Sequence, residues 1–248
     1  DINLSRNLSL ADLNPKKAPG SMKGVSISRK AVNDGELPVI NMDNVVIYDA
    51  DGNEKTTDDQ ITINGSIAIK DKIAMDCKIK ISQSKLQEFR FVNTIKEDSN
   101  IRITIGTKIA SLNLKKEKVL HTLYFAPIPV GPAVFVPEIN IIIGVDARLE
   151  IAAGFSAGMI QTVTYSAGIK CENDAWRPVS VFSNDFKWNA PAFSASAKAS
   201  IRGYGGSKSG LKVCGVTGPY INANAYLELG ADSTAKPVII SWKLRGGL

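Results

Sequence analysis

The sequence predicts an all-β fold, built mainly from antiparallel sheets and β-sandwich-like or elongated in outline. Three observations carry that prediction. Apolar and polar residues alternate with a period of two through most of residues 45–245, the pattern of strands with one face in a core and the other in water. Clusters such as Asp49-Ala50-Asp51-Gly52-Asn53 and Glu172-Asn173-Asp174 interrupt the alternation where turns are needed. Aromatic residues make up only 7% of the chain, so the core rests on Ile, Val, Leu and Ala, two of which are β-branched and suit strands.

Residues 1–40 read as a polar arm or linker, broken by Asn14-Pro15-Lys16-Lys17-Ala18-Pro19-Gly20, with a short helical turn expected over Ser28–Asp34. Residues 41–125 form an N-terminal β region. Val45-Val46-Ile47-Tyr48 is its first strand. Ile61, Ile63, Ile67 and Ile69 make one apolar face, and Ile73, Met75, Cys77, Ile79 and Ile81 another, with a hairpin expected at Asp71-Lys72 between them. Phe89-Arg90-Phe91 and Ile101 to Ile105 repeat the pattern.

Pro127, Pro129, Pro132 and Pro137 then fall among apolar residues. Proline lacks the ladder donor a central strand needs. The stretch 126–137 therefore reads as an extended crossover or an edge strand, and as the boundary before a C-terminal β region, 126–248, rich in Gly, Ala and Ser. Ile139 to Ala157 keep one parity for nineteen residues, which predicts a bend near Gly144 or a bulged turn. Strands are expected over Val163–Cys171, Phe193–Ile201, Ile221–Leu229 and Val238–Leu244. Faces made of Ala and Ser imply layers that approach closely. The glycine-rich Gly203–Gly210 reads as a flexible connection, since no helix start follows it to make a phosphate cradle.

The chain has 248 residues and a formal charge of +6. Between Gly65 and Leu120 lie twelve basic and six acidic residues, and the rest of the chain is balanced. The basic excess belongs to one region, and Lys70, Lys78, Lys80, Arg90 and Arg102 make a candidate face for an anionic partner such as a polysaccharide. Lysine on strands also serves simply to discourage edge pairing. Phe89 and Phe91 share a parity opposite to Arg90, so they read as core and not as a stacking platform, which argues against nucleic acid. No apolar stretch approaches 18 residues, so no transmembrane helix is encoded.

The three cysteines make no framework. Cys77 reads as a buried thiol, and a Cys171–Cys214 pairing stays open. Asp49, Asp51 and Asn53, with Asp58 and Asp59 nearby, resemble the start of a calcium loop, because spaced oxygen donors in a turn suit that ion. The full loop pattern fails, and a solvated turn explains the same residues. No other cofactor is indicated. His121 is the sole histidine and lacks the partners of a triad. No catalytic residue is assigned: a hydrolase-type carboxylate pair would form only in space, and Glu138, Asp146 and Glu150 read instead as exposed sheet residues. Asn7-Leu8-Ser9 and Asn64-Gly65-Ser66 are glycosylation sequons.

Gly215-Val216-Thr217-Gly218-Pro219-Tyr220, then Tyr226-Leu227-Glu228-Leu229-Gly230-Ala231-Asp232 and Gly246-Gly247, resemble segments of β-rich modules in large, poorly characterised bacterial secreted and surface proteins. The resemblance covers about residues 120–248. It implies an exported β-rich module and transfers no catalytic residue. The expectation is a non-catalytic extracellular or cell-surface structural or adhesive module that meets protein partners, or copies of itself, through sheet edges. A carbohydrate- or apolar-ligand-binding protein is the alternative.

Overall fold

The computed structural model describes residues 2–13, 22–32, 35–109, 111–151, 154–193, 198–232 and 241–247. The chain is all-β and 83% strand. Its strands are β1 (Ile2–Leu8), β2 (Val25–Val32), β3 (Gly35–Asp49), β4 (Gln60–Ser82), β5 (Lys85–Ile105), β6 (Leu112–Tyr124), β7 (Ile128–Val130), β8 (Ala133–Ile151), β9 (Phe155–Glu172), β10 (Ala175–Phe193), β11 (Lys198–Val213), β12 (Val216–Asp232) and β13 (Ser241–Gly247). A single 3₁₀ turn, Leu10–Asp12, follows β1.

Every pairing is antiparallel. A seven-stranded sheet runs β10-β9-β5-β4-β3-β2, with β1 also on β4. On the side away from β5, the 23 residues of β4 host two partners: Gln60–Ala68 pairs with β3 and Met75–Ile81 with β1. A six-stranded sheet runs β13-β12-β11-β8-β6, with β7 also on β8. One of the two sheets curls as a half-barrel.

The chain enters the second sheet after β5, returns to the first after β8 and leaves it again after β10. Strands from both halves of the sequence therefore share each sheet, and the division expected at 126 does not separate the layers. The polar lead-in supplies β1 and β2. Ser28–Asp34, expected to make a helical turn, contributes residues 28–32 to β2, because Val25, Ile27 and their neighbours find a ladder partner in β3. Only part of the proline-rich stretch takes the edge form: Pro137 lies within β8, an interior strand, opposite Leu211 of β11. Short β7 pairs only with β8, in the same sheet, as the missing proline donors require.

The two sheets close on one continuous aliphatic core in which Ile40, Ile61, Ile63, Ile67, Ile95, Ile141 and Ile143 have no exposed surface. The layers meet most closely at β11. A Cβ on Gly203 would fall 1.6 Å from Ile103 Cδ1, and one on Gly205 2.5 Å from Ile101 Cδ1. Gly203–Gly210 is thus part of a central strand, not a flexible connection. Its glycines leave room for β5 side chains.

Two further expectations change for packing reasons. Asp71-Lys72 makes no hairpin, because both flanking segments pair with the same continuous β5, and a register shift between Ile69 and Ile73 absorbs the irregularity. The strand through Gly144 does not bend there. Gly144 pairs on both sides and seats the Tyr204 ring, whose Cζ lies 2.2 Å from where a Cβ would be. Cys77, Cys171 and Cys214 are all free thiols, so the open pairing does not form. Burial pushes the Cys77 thiol up to about 11. No described helix is long and apolar enough to cross a membrane.

Candidate functional site

The predicted anionic-partner residues lie on the outer face of the seven-stranded sheet, but they do not make a uniformly basic surface. Antiparallel register sets a carboxylate beside most of them. Lys70 pairs with Asp98, Arg90 with Asp76, and Lys78 with Glu88 at 2.9 Å. Lys80 and Arg102 are exposed. Alternating charge of this kind keeps a sheet face soluble and weakens its field toward a polyanion. Of the sequons, Asn7 is exposed on β1, whereas the Asn64 amide is engaged with Asn44, donating to its Oδ1 at 3.1 Å and accepting its N–H at 2.8 Å.

The calcium-like turn joins β3 to β4. Asp49 and Asp51 converge with Asp59. One carboxylate oxygen from each of the three lies within 4.8 Å of the others. Asn53 instead donates its N–H to Asp51 Oδ1 at 2.7 Å, which holds the Asp51 carboxyl below its ordinary range. The Asn53 side chain accepts the Lys55 N–H.

On the outer face of the six-stranded sheet, ladder register lines up charges across strands: Lys115 of β6, Asp146 of β8 and Arg202 of β11. One residue pair along, Tyr204 lies beside Tyr226 of β12. The Arg202 guanidinium sits 3.8 Å over the Tyr226 ring. The Tyr204 hydroxyl donates to Glu117 at 3.4 Å, and burial together with that carboxylate pushes the phenol up to about 12. These groups, with Asn222 and Asn224, surround a depression of about 250 Å³. The Asn224 Oδ1 is buried and accepts no hydrogen bond. Of the spatial carboxylate candidates, Asp146 lines this depression, while Glu138 is buried and holds Lys212 at 2.8 Å. The Glu150 side chain lies outside the described residues.

The interior carries a polar seam that the sequence reading missed. Glu97 and Ser99 of β5, Gln161 and Tyr165 of β9, and Ser207 of β11 are all buried. Ser99 donates to Glu97 Oε1, and Tyr165 hydrogen-bonds Ser207 across the two sheets. Glu97 Oε2 and both polar atoms of the Gln161 amide have no hydrogen-bond partner. Burial pushes the Glu97 carboxyl up to about 7. The available signal was parity: Glu97 and Ser99 continue the inward series from Phe89 to Ile105, and Gln161 and Tyr165 flank inward Val163.

The last feature is an edge. β10 pairs only with β9 and closes one side of the seven-stranded sheet. Trp176, Val181 and Phe182 are 54%, 67% and 61% exposed. Trp176 rests on Phe89, ring centroids 5.6 Å apart. Val179 to Asn184 contains neither charge nor proline. By contrast β6, an edge of the other sheet, carries Lys115, Lys116 and Lys118. Lysine is a common defence of sheet edges, and β10 lacks it over six residues. No protein-family model, curated protein or solved structure matches this chain.

Proposed function

We propose that this chain is a non-catalytic extracellular or cell-surface structural module that associates with a second copy of itself through β10. The observation that carries the reading is a gap in the defences of the β10 edge: the six residues Val179 to Asn184, between Arg177-Pro178 and Asp185, carry no charge or proline, are unpaired on their outer side among the described residues, and hold Val181 and Phe182 in water. A free strand edge offers a row of unmet donors and acceptors to another strand. A short uncharged run of high β propensity is the composition that favours such pairing.

Sedimentation equilibrium tests this reading. The wild-type chain is expected to show a mass that rises with concentration toward that of a dimer or a longer assembly. Phe182→Lys is expected to weaken association at least tenfold and to leave the melting temperature nearly unchanged, because the side chain is exposed. A wild-type chain that stays monomeric at every concentration contradicts the proposal.

A second reading rests on a separate observation, the unpartnered Asn224 Oδ1 in the depression lined by Tyr204, Tyr226 and Arg202. Aromatic faces beside amides and charged donors suit a carbohydrate, with rings for stacking and polar groups to fix orientation. Titration with oligosaccharides selected on a glycan array is expected to show binding that Tyr226→Ala removes. Binding unaffected by that substitution places the ligand elsewhere.

A further inference from the structure

We infer that the β3–β4 turn is a calcium site built from Asp49, Asp51 and Asp59, independent of the edge and of the glycan reading. The three carboxylates converge within 4.8 Å, although β3 ends at Asp49 and β4 begins at Gln60. Local donors satisfy part of the cluster. Gly52 N–H and the Gln60 amide reach Asp49 at 3.0 and 3.1 Å, and Asp51 N–H reaches Asp59 Oδ2 at 3.1 Å.

Asp59 is the independent observation. It is only 7% exposed, and its Oδ1 lies buried with no hydrogen-bond partner. A buried carboxylate oxygen with nothing to accept from is costly unless a cation or a proton meets it. No described lysine or arginine forms an ion pair with any of the three carboxylates. Lys108, whose ammonium feels the Asp59 and Asp51 charges, makes its ion pair with Asp58.

The chemistry of the donors selects the ion. All are hard oxygens, with the Thr56 hydroxyl adding a neutral one beside Asp51 at 3.2 Å. Calcium accepts six to eight such ligands in irregular geometry, whereas magnesium demands a tight octahedron. The donors are rooted in a frame that crosses between sheets. Gly106 N–H and Lys108 N–H, in the segment that follows β5, bond the carbonyls of Gln60 and Asp58 at 2.9 and 2.7 Å. An ion held by Asp59 therefore braces the turn against the passage from β5 to β6.

The test is calorimetric titration of chelator-treated full chain with calcium and, separately, magnesium, together with thermal melts. One calcium per chain is expected, with a dissociation constant of about 10⁻⁴ to 10⁻³ M, the range of extracellular modules, and with a melting temperature raised by calcium. Asp51 is exposed, so Asp51→Asn should fold normally. It is expected to weaken binding at least tenfold and to lose the calcium-dependent rise. Asp174→Asn, in the distant β9–β10 turn, should behave as wild type. Absence of calcium heat and of a melting shift in wild type at about 10 mM, well above the weakest expected constant, overturns the proposal. So does an Asp51→Asn chain that binds like wild type, or magnesium binding as tightly as calcium.

Discussion

Glu97 occupies a position on β5 where strand parity points the side chain into the core, between Ile95 and Ile101. An unfolded chain releases its proton near 4.5, and burial moves that release to about 7 in the folded protein. Between those values the folded state binds more protons than the unfolded one, so stability falls as pH rises and levels off above about 7. The full effect is on the order of 3 kcal/mol. Glu97→Gln removes the titration and keeps the shape. Urea unfolding midpoints of variant and wild type are expected to lie close together at low pH and to separate as pH rises to 8, with the variant the more stable. Midpoints that keep a constant offset across that interval contradict the account. The same residue shows what a sequence withholds. Its parity was legible, but the burial that shifts it depends on β9 and β11, which lie more than fifty residues away in the chain.

Among the strands, β11 carries the tightest constraint. Gly203 lies against Ile103, while a Cβ on Gly230 of β12 would meet nothing within 4 Å. Gly203→Ala is expected to destabilise the fold by about 1–3 kcal/mol through overpacking. Gly230→Ala should be neutral or slightly stabilising, since it restricts the unfolded chain at no steric cost. Chemical denaturation distinguishes the two, and equal effects would refute the close approach of the sheets at β11. The contrast also marks how far alternation leads. Period two located the strands of residues 45–105 and those over Val163–Cys171 and Ile221–Leu229, because each records only which way a side chain points, whereas the strand expected over Phe193–Ile201 instead takes in the end of β10 and the start of β11. It could not separate a turn from a bulge at Asp71-Lys72, since that choice depends on whether β5 continues opposite. Nor could it reveal that Gly203–Gly210 is central, because glycine reads as a connection until the neighbour that fills its space is known. At the turn before β4, Asp49 and Asp51 stood out by density. Asp59 stood near them in the sequence, but its burial follows only from the chain's reversal into β4.

At the scale of the molecule, interleaved strands tie the two halves of the sequence into one core, so local charge and global surface diverge. The basic excess of residues 65–120 is met on the outer sheet by Asp76, Glu88 and Asp98. What remains distinctive is the inequality of the edges, with lysines on β6 and an uncharged apolar run on β10. That inequality underlies the central claim that the module assembles through one edge. Hydrogen exchange at low and high protein concentration tests it most directly. Residues 179–184 are expected to gain protection as concentration rises, while β2 and β6 exchange as before. Unchanged exchange in β10, or protection that appears on another edge, would contradict it.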